Sequence, residues 1–464
     1  MAGHRFHPSI LRAYDARGIV GETLHEADAY HLGRAFAEVA RQQGARRIAV
    51  GYDGRHSSPG LAEHLRRGLM DGGLVAVDIG RCPTPQVYFA VHTFQLDGGI
   101  MVTGSHNPPS HNGFKLMLGK ESFYGEALAA LGPLALSGAY ESAGRGGEEQ
   151  LSVQPAYLDA LLSGFDANPA DAGRAVWDAG NGSAGEVMAQ LTARLPGQHQ
   201  LLYEEIDGDF PNHHPDPSVE ANLADVKARV RETGADLGFA FDGDGDRCGL
   251  VDDEGETIWA DQFMVLLAEQ VLAALPGSPI VADVKSSQTL FERIEAMGGQ
   301  AVMNATGHSL VKARMKALQS PLGGEMSGHI FFGHRWFGFD DGLYTAVRLL
   351  SIVAQRDGKL SDFRKSLPVT FATPELRYEV EESRKFGVID AVAQALAAEG
   401  ADPVSIDGVR VKEADGWWLL RASNTQAALV GRAEGASQAA VDRMREGIET
   451  RLRKLGIEPI LGDH

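Results

Sequence analysis

The 464-residue sequence predicts an α/β protein with a parallel-sheet rhythm, divided into four domains. Three observations lead there. Apolar β-branched runs alternate with helically spaced segments through most of the chain. At roughly 150 residues per domain the length suggests about three domains, and four small ones fit as well. After about residue 368 the character changes to a shorter α+β tail.

In chain order, Arg47–Tyr52 and Leu74–Ile79 read as buried strands around a helical Ser58–Met70 opened by Ser-Pro. Strands recur at Arg174–Asp178, Leu237–Phe241 and Pro279–Asp283, and helices at Asp261–Leu275 and Asp340–Gln355. Gly- and Ser-rich Ser137–Gln150 reads as a linker before a helix started by Pro155, and Asp252–Glu256 as a turn. Ser366–Pro374 carries two prolines around a short β run. The tail ends in a helix with Val441, Met444, Ile448, Leu452 and Leu455 at spacings of three and four. The domains are placed at 1–150, 151–255, 256–368 and 369–464.

Composition narrows the function classes. A net charge of −19 with no long basic block argues against a nucleic-acid partner. Two cysteines, Cys82 and Cys248, make no disulfide framework. The first eight residues have no signal-peptide core, and no apolar run reaches membrane-spanning length. A cytoplasmic protein with no membrane partner is expected, as a monomer or small homo-oligomer. The 56 glycines are about 12% of the chain against a usual level of about 7%. Such an excess suits loops where backbone approaches a ligand.

Two strands run straight into such loops. Gly99–Thr103 enters Gly104-Ser105-His106-Asn107, and Leu237–Phe241 enters Asp242-Gly-Asp244-Gly-Asp246-Arg247. The shared form suggests a divergent internal repeat, with the loops where α/β sheets bind ligands. Convergence of the three aspartates calls for a cation. Two such charges about 4 Å apart repel by about 4 kcal/mol at an effective dielectric near 20. All-oxygen ligands select a hard ion, Mg²⁺ before Zn²⁺. An EF-hand would need glycine where Arg247 stands, and a strand follows instead of the rest of its loop.

Ser105, on a Gly loop with Pro108 and Pro109 behind it, suits a nucleophile or phosphate carrier. The plain alternative is a turn in which Ser105 and Asn107 cap backbone groups. A hydrolase triad is disfavoured: no G-x-S-x-G elbow is present, and His106, as the immediate neighbour, is poorly placed as a base. Glu325, Ser327 and His329 lie within five residues and offer donors and acceptors to a polyhydroxylated ligand. Arg421, Ser423, Asn424 and Thr425 follow a strand and read as a phosphate cradle. Gly180-x-Gly182-x-x-Gly185 is a literal dinucleotide fingerprint, so a dehydrogenase is a competing class. The competing structural reading is a tight strand-to-helix turn.

Taken together, the ordered motifs resemble the α-D-phosphohexomutase family, and within it the bacterial phosphomannomutase/phosphoglucomutase group. They run from Tyr14-Asp-Ala-Arg17 and Asp53-Gly-Arg55 through the Ser105 loop and Phe210–Pro217. The Asp242 loop, Lys285, Thr306-Gly307-His308-Ser309, the Glu325 loop, Trp336–Gly342 and the Arg421 loop follow. Asn304-Ala305 departs from the larger or basic residues expected there. The resemblance implies three related α/β domains with mixed sheets and a smaller C-terminal domain around one deep cleft. It implies a phosphoserine at Ser105 and Mg²⁺ on Asp242, Asp244 and Asp246 with the serine phosphate. Arg247 would steady that phosphate. Glu325, Ser327 and His329 would hold sugar hydroxyls, and Arg421, Ser423, Asn424 and Thr425 the distal phosphate. Tyr14, Arg17, His106, Asn107, Lys115, Lys285, Gly307 and His308 would complete the cleft.

The implied reaction exchanges phosphate between C1 and C6 of mannose or glucose through a 1,6-bisphosphate, with glucose 1,6-bisphosphate as activator. Lys115, His329 and Arg17 are candidates for the general base, Lys115 only if its pKa is lowered. A non-catalytic sugar-phosphate binder is the third class. Supply of activated hexose for envelope or exopolysaccharide synthesis is the expected role.

Overall fold

A computed structural model describes residues 3–141, 143–423 and 427–458. The first sheet contains Ala16–Ile19 (β1), Arg47–Tyr52 (β2), Val75–Arg81 (β3), Gly98–Val102 (β4), His111–Leu118 (β5), Glu121–Ser122 (β6) and Glu148–Gln150 (β7). The second holds Arg174–Asp178 (β8), Gln198–Leu202 (β9), Leu237–Phe241 (β10), Cys248–Asp252 (β11) and Thr257–Ile258 (β12). The third holds Pro279–Asp283 (β13), Gln300–Asn304 (β14), Leu322–Gly324 (β15) and Ile330–Phe332 (β16). The fourth holds Phe371–Ala372 (β17), Leu376–Glu379 (β18), Val409–Glu413 (β19), Gly416–Ala422 (β20) and Ala428–Gly435 (β21).

The first three sheets repeat one topology. In the first, β2 pairs in parallel with β3 on one side and β4 on the other, and β4 turns back into antiparallel β5. The second does the same with β8, β9, β10 and β11, and the third with β13, β14, β15 and β16. Three chemical loops therefore occupy one structural position. Ser105 lies between β4 and β5, Asp242–Asp246 between β10 and β11, and Glu325–His329 between β15 and β16. The likeness legible at the first two extends to the third.

Local chemistry sets the ends of the elements. Pro59 opens the helix Ser58–Asp71, where its missing N–H costs nothing. The helix after Asp340 begins at Gly342, two residues later than expected, because the Asp341 carboxylate accepts the Tyr344 N–H at 2.9 Å and caps it. The linker expected over 137–150 is not wholly irregular, since β7 pairs in parallel with β3. The second sheet runs past residue 255 through β12.

One apolar core crosses the first three units, with Tyr88, Trp177, Phe263 and Tyr344 all buried in it. The fourth has its own core around Tyr378, Trp418, Met444 and Leu452. A small seam joins it to the third: Val284 meets Trp417 and Leu419. There the Arg410 guanidinium lies 3.6 Å from the Trp417 ring centre and donates to the carbonyls of Val284 (2.7 Å) and Ser286 (2.9 Å). Among the described residues no helix is long and apolar enough to cross a membrane, and both cysteines are buried free thiols.

Candidate active site

The loops meet at one cleft of about 670 Å³. Tyr14, Arg17, Ser105, His106, Asn107 and Lys115 line it from the first unit and Arg247 from the second. Lys285, Gly307, His308, Glu325, Ser327 and His329 line it from the third, and Arg421 and Ser423 from the fourth. Asn424 and Thr425 lie outside the described residues. Cations far apart in sequence thus share one pocket in a protein of net charge −19, which focuses positive potential where an anion would sit.

Ser105 is buried with φ +51°, in the left-handed region that a β-carbon disfavours. Its amide donates to Thr103 Oγ1 at 2.8 Å, and its hydroxyl donates to Asp242 Oδ2 at 2.9 Å. Gly243 allows this approach: a β-carbon there would stand 2.4 Å from the Ser105 carbonyl oxygen. His106 corrects a sequence expectation. Its Nδ1 lies 3.1 Å from Ser105 Oγ despite being the adjacent residue. Burial, with Arg247 and Arg17 nearby, drives its pKa well below the ordinary histidine value, so the ring is neutral.

Asp242, Asp244 and Asp246 are all buried, and their oxygens approach within 4.8 Å of one another. Lys115 Nζ bridges two of them, donating to Asp244 Oδ2 at 2.7 Å and to Asp246 Oδ2. Thr84 Oγ1 also donates to Asp244. Burial and repulsion from Asp244 and Asp246 push Asp242 well above the carboxylate range. Against its own burial, Lys115 and Thr84 hold Asp244 below that range. Among the described residues Asp244 Oδ1 and Asp246 Oδ1 have no hydrogen-bond partner. Orphaned buried acceptors in an all-oxygen set fit a hard divalent cation. Burial would lower the Lys115 pKa, but Asp244 and Asp246 raise it well above its ordinary value. It is an ammonium here, contrary to the lowered pKa that a base would need.

His329 stands between Arg247 and Asp340. Its Nε2 accepts from Arg247 Nε at 3.0 Å. Guanidinium only donates, so Nε2 carries the lone pair and Nδ1 the hydrogen. Nδ1 lies 3.0 Å from Asp340 Oδ2 and 3.4 Å from Asp246 Oδ1. The His308 ring stacks on it at 5.7 Å, and burial and Lys312 hold the His308 pKa well below normal. Glu325 accepts the Gly307 N–H at 2.6 Å, and burial raises its pKa.

On the far wall, Arg421 Nε donates to Asp407 Oδ2 at 2.8 Å, and the same oxygen accepts the Thr306 N–H at 3.1 Å. Lys285 Nζ lies 3.4 Å from Glu375, Tyr14 donates to the Thr306 carbonyl at 2.8 Å, and Arg17 reaches Asn107 Oδ1 at 3.3 Å. Thr84, Asp407 and Glu375 were not singled out from sequence, and their partners are 160, 14 and 90 residues away. Asn304 and Ala305 do not line the cleft.

The Gly180 loop is structural. Residues 179–185 are buried, and Ser183 N donates 2.9 Å to the Gly243 carbonyl, so the turn supports the aspartate loop from behind.

A buried hydroxyl beside a carboxylate trio, facing a cationic wall across a polar cleft, is the equipment of a phosphoryl-transfer enzyme. Four domain families of phosphoglucomutase/phosphomannomutase match in order. Alpha/beta/alpha domains I, II and III match residues 8–129, 155–255 and 259–371, and the C-terminal domain matches 375–451. The chain is 43% identical over 453 residues to a phosphomannomutase/phosphoglucomutase of Pseudomonas putida, covering 98% of this chain and 97% of that one. It is 43% identical over 439 residues to a phosphoglucomutase of Neisseria gonorrhoeae, covering 94% and 95%. A crystal structure of a phosphoglucomutase/phosphomannomutase family protein from Burkholderia thailandensis superposes with a TM-score of 0.91 at 40% identity, covering 97% and 98%. The chain belongs to the phosphoglucomutase/phosphomannomutase family of α-D-phosphohexomutases. The family uses a metal ion, and the aspartate trio can hold one.

Proposed function

We propose that the protein interconverts the 1- and 6-phosphates of mannose and glucose, with Ser105 as phosphoryl carrier. The observation that carries this is the convergence in one cleft of the Ser105 hydroxyl, 2.9 Å from Asp242, with Lys285 and Arg421.

Phosphoserine at 105 donates to the free sugar hydroxyl: the P–Oγ bond breaks and a P–O bond to C1 or C6 forms. The hydroxyl proton passes to His329 Nε2, which accepts from Arg247 Nε in the resting site, with Nδ1 3.0 Å from Asp340 Oδ2. The 1,6-bisphosphate turns over, and its other phosphoryl group returns to Ser105. Mg²⁺ on Asp242, Asp244 and Asp246 supplies positive charge at the donor end when bound. Arg17, Lys115 and Arg247 add fixed charge there, and His106 and Asn107 border the carrier. Arg421 and Ser423, with Asn424 and Thr425, clamp the distal phosphate in either orientation, and Tyr14, Lys285, Gly307 and His308 complete the substrate cleft. Glu325 and Ser327 hold the sugar hydroxyls.

The carrier then belongs to residues 1–150, the metal to 151–255, the sugar loop to 256–368 and the distal clamp to 369–464. Glucose 1,6-bisphosphate loads the serine, and two buried free thiols favour work in the cytoplasm. The test is kcat/KM for the 1-phosphates of mannose, glucose and glucosamine with trace bisphosphate. Turnover of mannose and glucose supports the reading; none on any of them refutes it.

A further inference from the structure

Arg55 does not itself line the cleft, yet its guanidinium is buried at the centre of the carrier loop. Nη1 donates to the carbonyls of Pro108 (2.6 Å) and His111 (2.9 Å), and Nη2 to those of Ser105 (2.7 Å) and Asn107 (2.5 Å). Nε lies 3.2 Å from Asp53 Oδ2, an oxygen that also accepts the Gly104 N–H at 3.1 Å. Four carbonyls of one short connection therefore turn inward onto a single planar fork. A connection shaped by its own turn bonds alone would leave most of them to water. The Gly104 position is set by the same group, since a β-carbon there would lie 2.5 Å from Arg55 Cζ.

The second unit closes over this arrangement. The Phe210 ring lies 5.2 Å from the guanidinium, itself held at φ +50°, and a β-carbon at Gly208 would stand 2.9 Å from Arg55 Cα. Asp53-Gly-Arg55 and Phe210–Pro217 thus join in one device across the first two units.

We propose that Arg55, backed by Asp53 and capped by Phe210, is a positioning residue that fixes the Ser105 loop, and so the reacting oxygen, for in-line transfer. The inference rests on Ser105 being the carrier. The strained φ at Ser105 needs such an external anchor, because the loop on its own would relax toward a commoner conformation. Only arginine offers a rigid fork with enough donors, and lysine keeps the charge but not the geometry.

In steady-state kinetics Arg55→Lys is expected to lose ~100-fold in kcat, the effect of about 1 Å of misplacement. KM for the hexose phosphate should stay within about threefold, because the distal clamp is untouched. Phe210→Leu, which keeps apolar volume, should lose about tenfold in kcat with the same KM. Arg55→Ala should recover activity with added guanidinium ion but not with equal urea. Arg55→Lys with kcat within about twofold of wild type overturns the proposal, as does a proportional rise in KM. If Arg55→Lys does not fold, unchanged kcat in Phe210→Leu overturns it alone. Ser105→Ala separates the two layers: full activity there sinks the carrier, whereas an inert Ser105→Ala beside a fully active Arg55→Lys sinks only the positioning role.

Discussion

Lys115→Met removes the one ammonium bridging two of three buried carboxylates. At 2.7 Å from Asp244 Oδ2 a unit pair is worth about 6 kcal/mol at an effective dielectric near 20. Burying the ammonium costs several kcal/mol, so the contact is far from pure gain. Deleting it leaves the buried Asp244 and Asp246 without the cation they share. Breaking buried pairs of this kind costs about 3–5 kcal/mol. That loss applies to the metal-free protein. With Mg²⁺ saturating, the ion takes over the neutralisation and adds its own binding energy to the fold. Urea unfolding of wild type and variant, in chelator and in excess Mg²⁺, reads both numbers. The expected result is a loss of about 3–5 kcal/mol in chelator that shrinks to about 1 kcal/mol in Mg²⁺. An equal loss in both media would refute the idea that Lys115 and the ion neutralise one charge cluster.

Two further outcomes follow from the geometry. Burial pushes the Asp341 carboxyl up to about 7, so the fold resists its ionisation. Its folded pKa lies above the unfolded one, so the contribution is fully present below the unfolded value and lost as pH rises through about 7. Asp341→Asn keeps the helix cap without a charge. Its stability relative to wild type should therefore grow by about 3 kcal/mol from about pH 5 to about pH 8 in urea titrations, and a pH-independent difference contradicts this. Arg421→Ala should raise KM for hexose phosphate ~10–100-fold, the worth of charged hydrogen bonds to one phosphate. Steady-state kinetics showing a fall in kcat alone would contradict a clamp on the distal group.

The fold was legible where it depends on local pattern. Buried runs such as Arg47–Tyr52 and Leu237–Phe241 form strands over the residues expected, because an apolar run of that length between turn signals has few other solutions. β7 was not legible: Glu148–Gln150 is exposed and polar, and only the edge of β3 makes it a strand. Ser105, Asp242–Arg247 and Glu325–His329 stand on loops between a repeat's third and fourth strands, so short motifs gave them away. Their supports are tertiary. Nothing near Thr84 signals an aspartate 160 residues on, and nothing near Asp407 signals that it ties Arg421 to the Thr306 amide. His106 was misjudged because adjacency was weighed without the left-handed backbone at Ser105, which accompanies the ring's approach to the hydroxyl.

The reaction scheme depends on the side chain at 105 carrying the transferred group. Incubation with glucose 1,6-bisphosphate, then intact-mass measurement and peptide mapping, tests this directly. The account predicts one added phosphoryl group, mapped to Ser105 and discharged by excess hexose monophosphate. A protein that turns over substrate while Ser105 stays unmodified, or that carries its phosphate elsewhere, would contradict it.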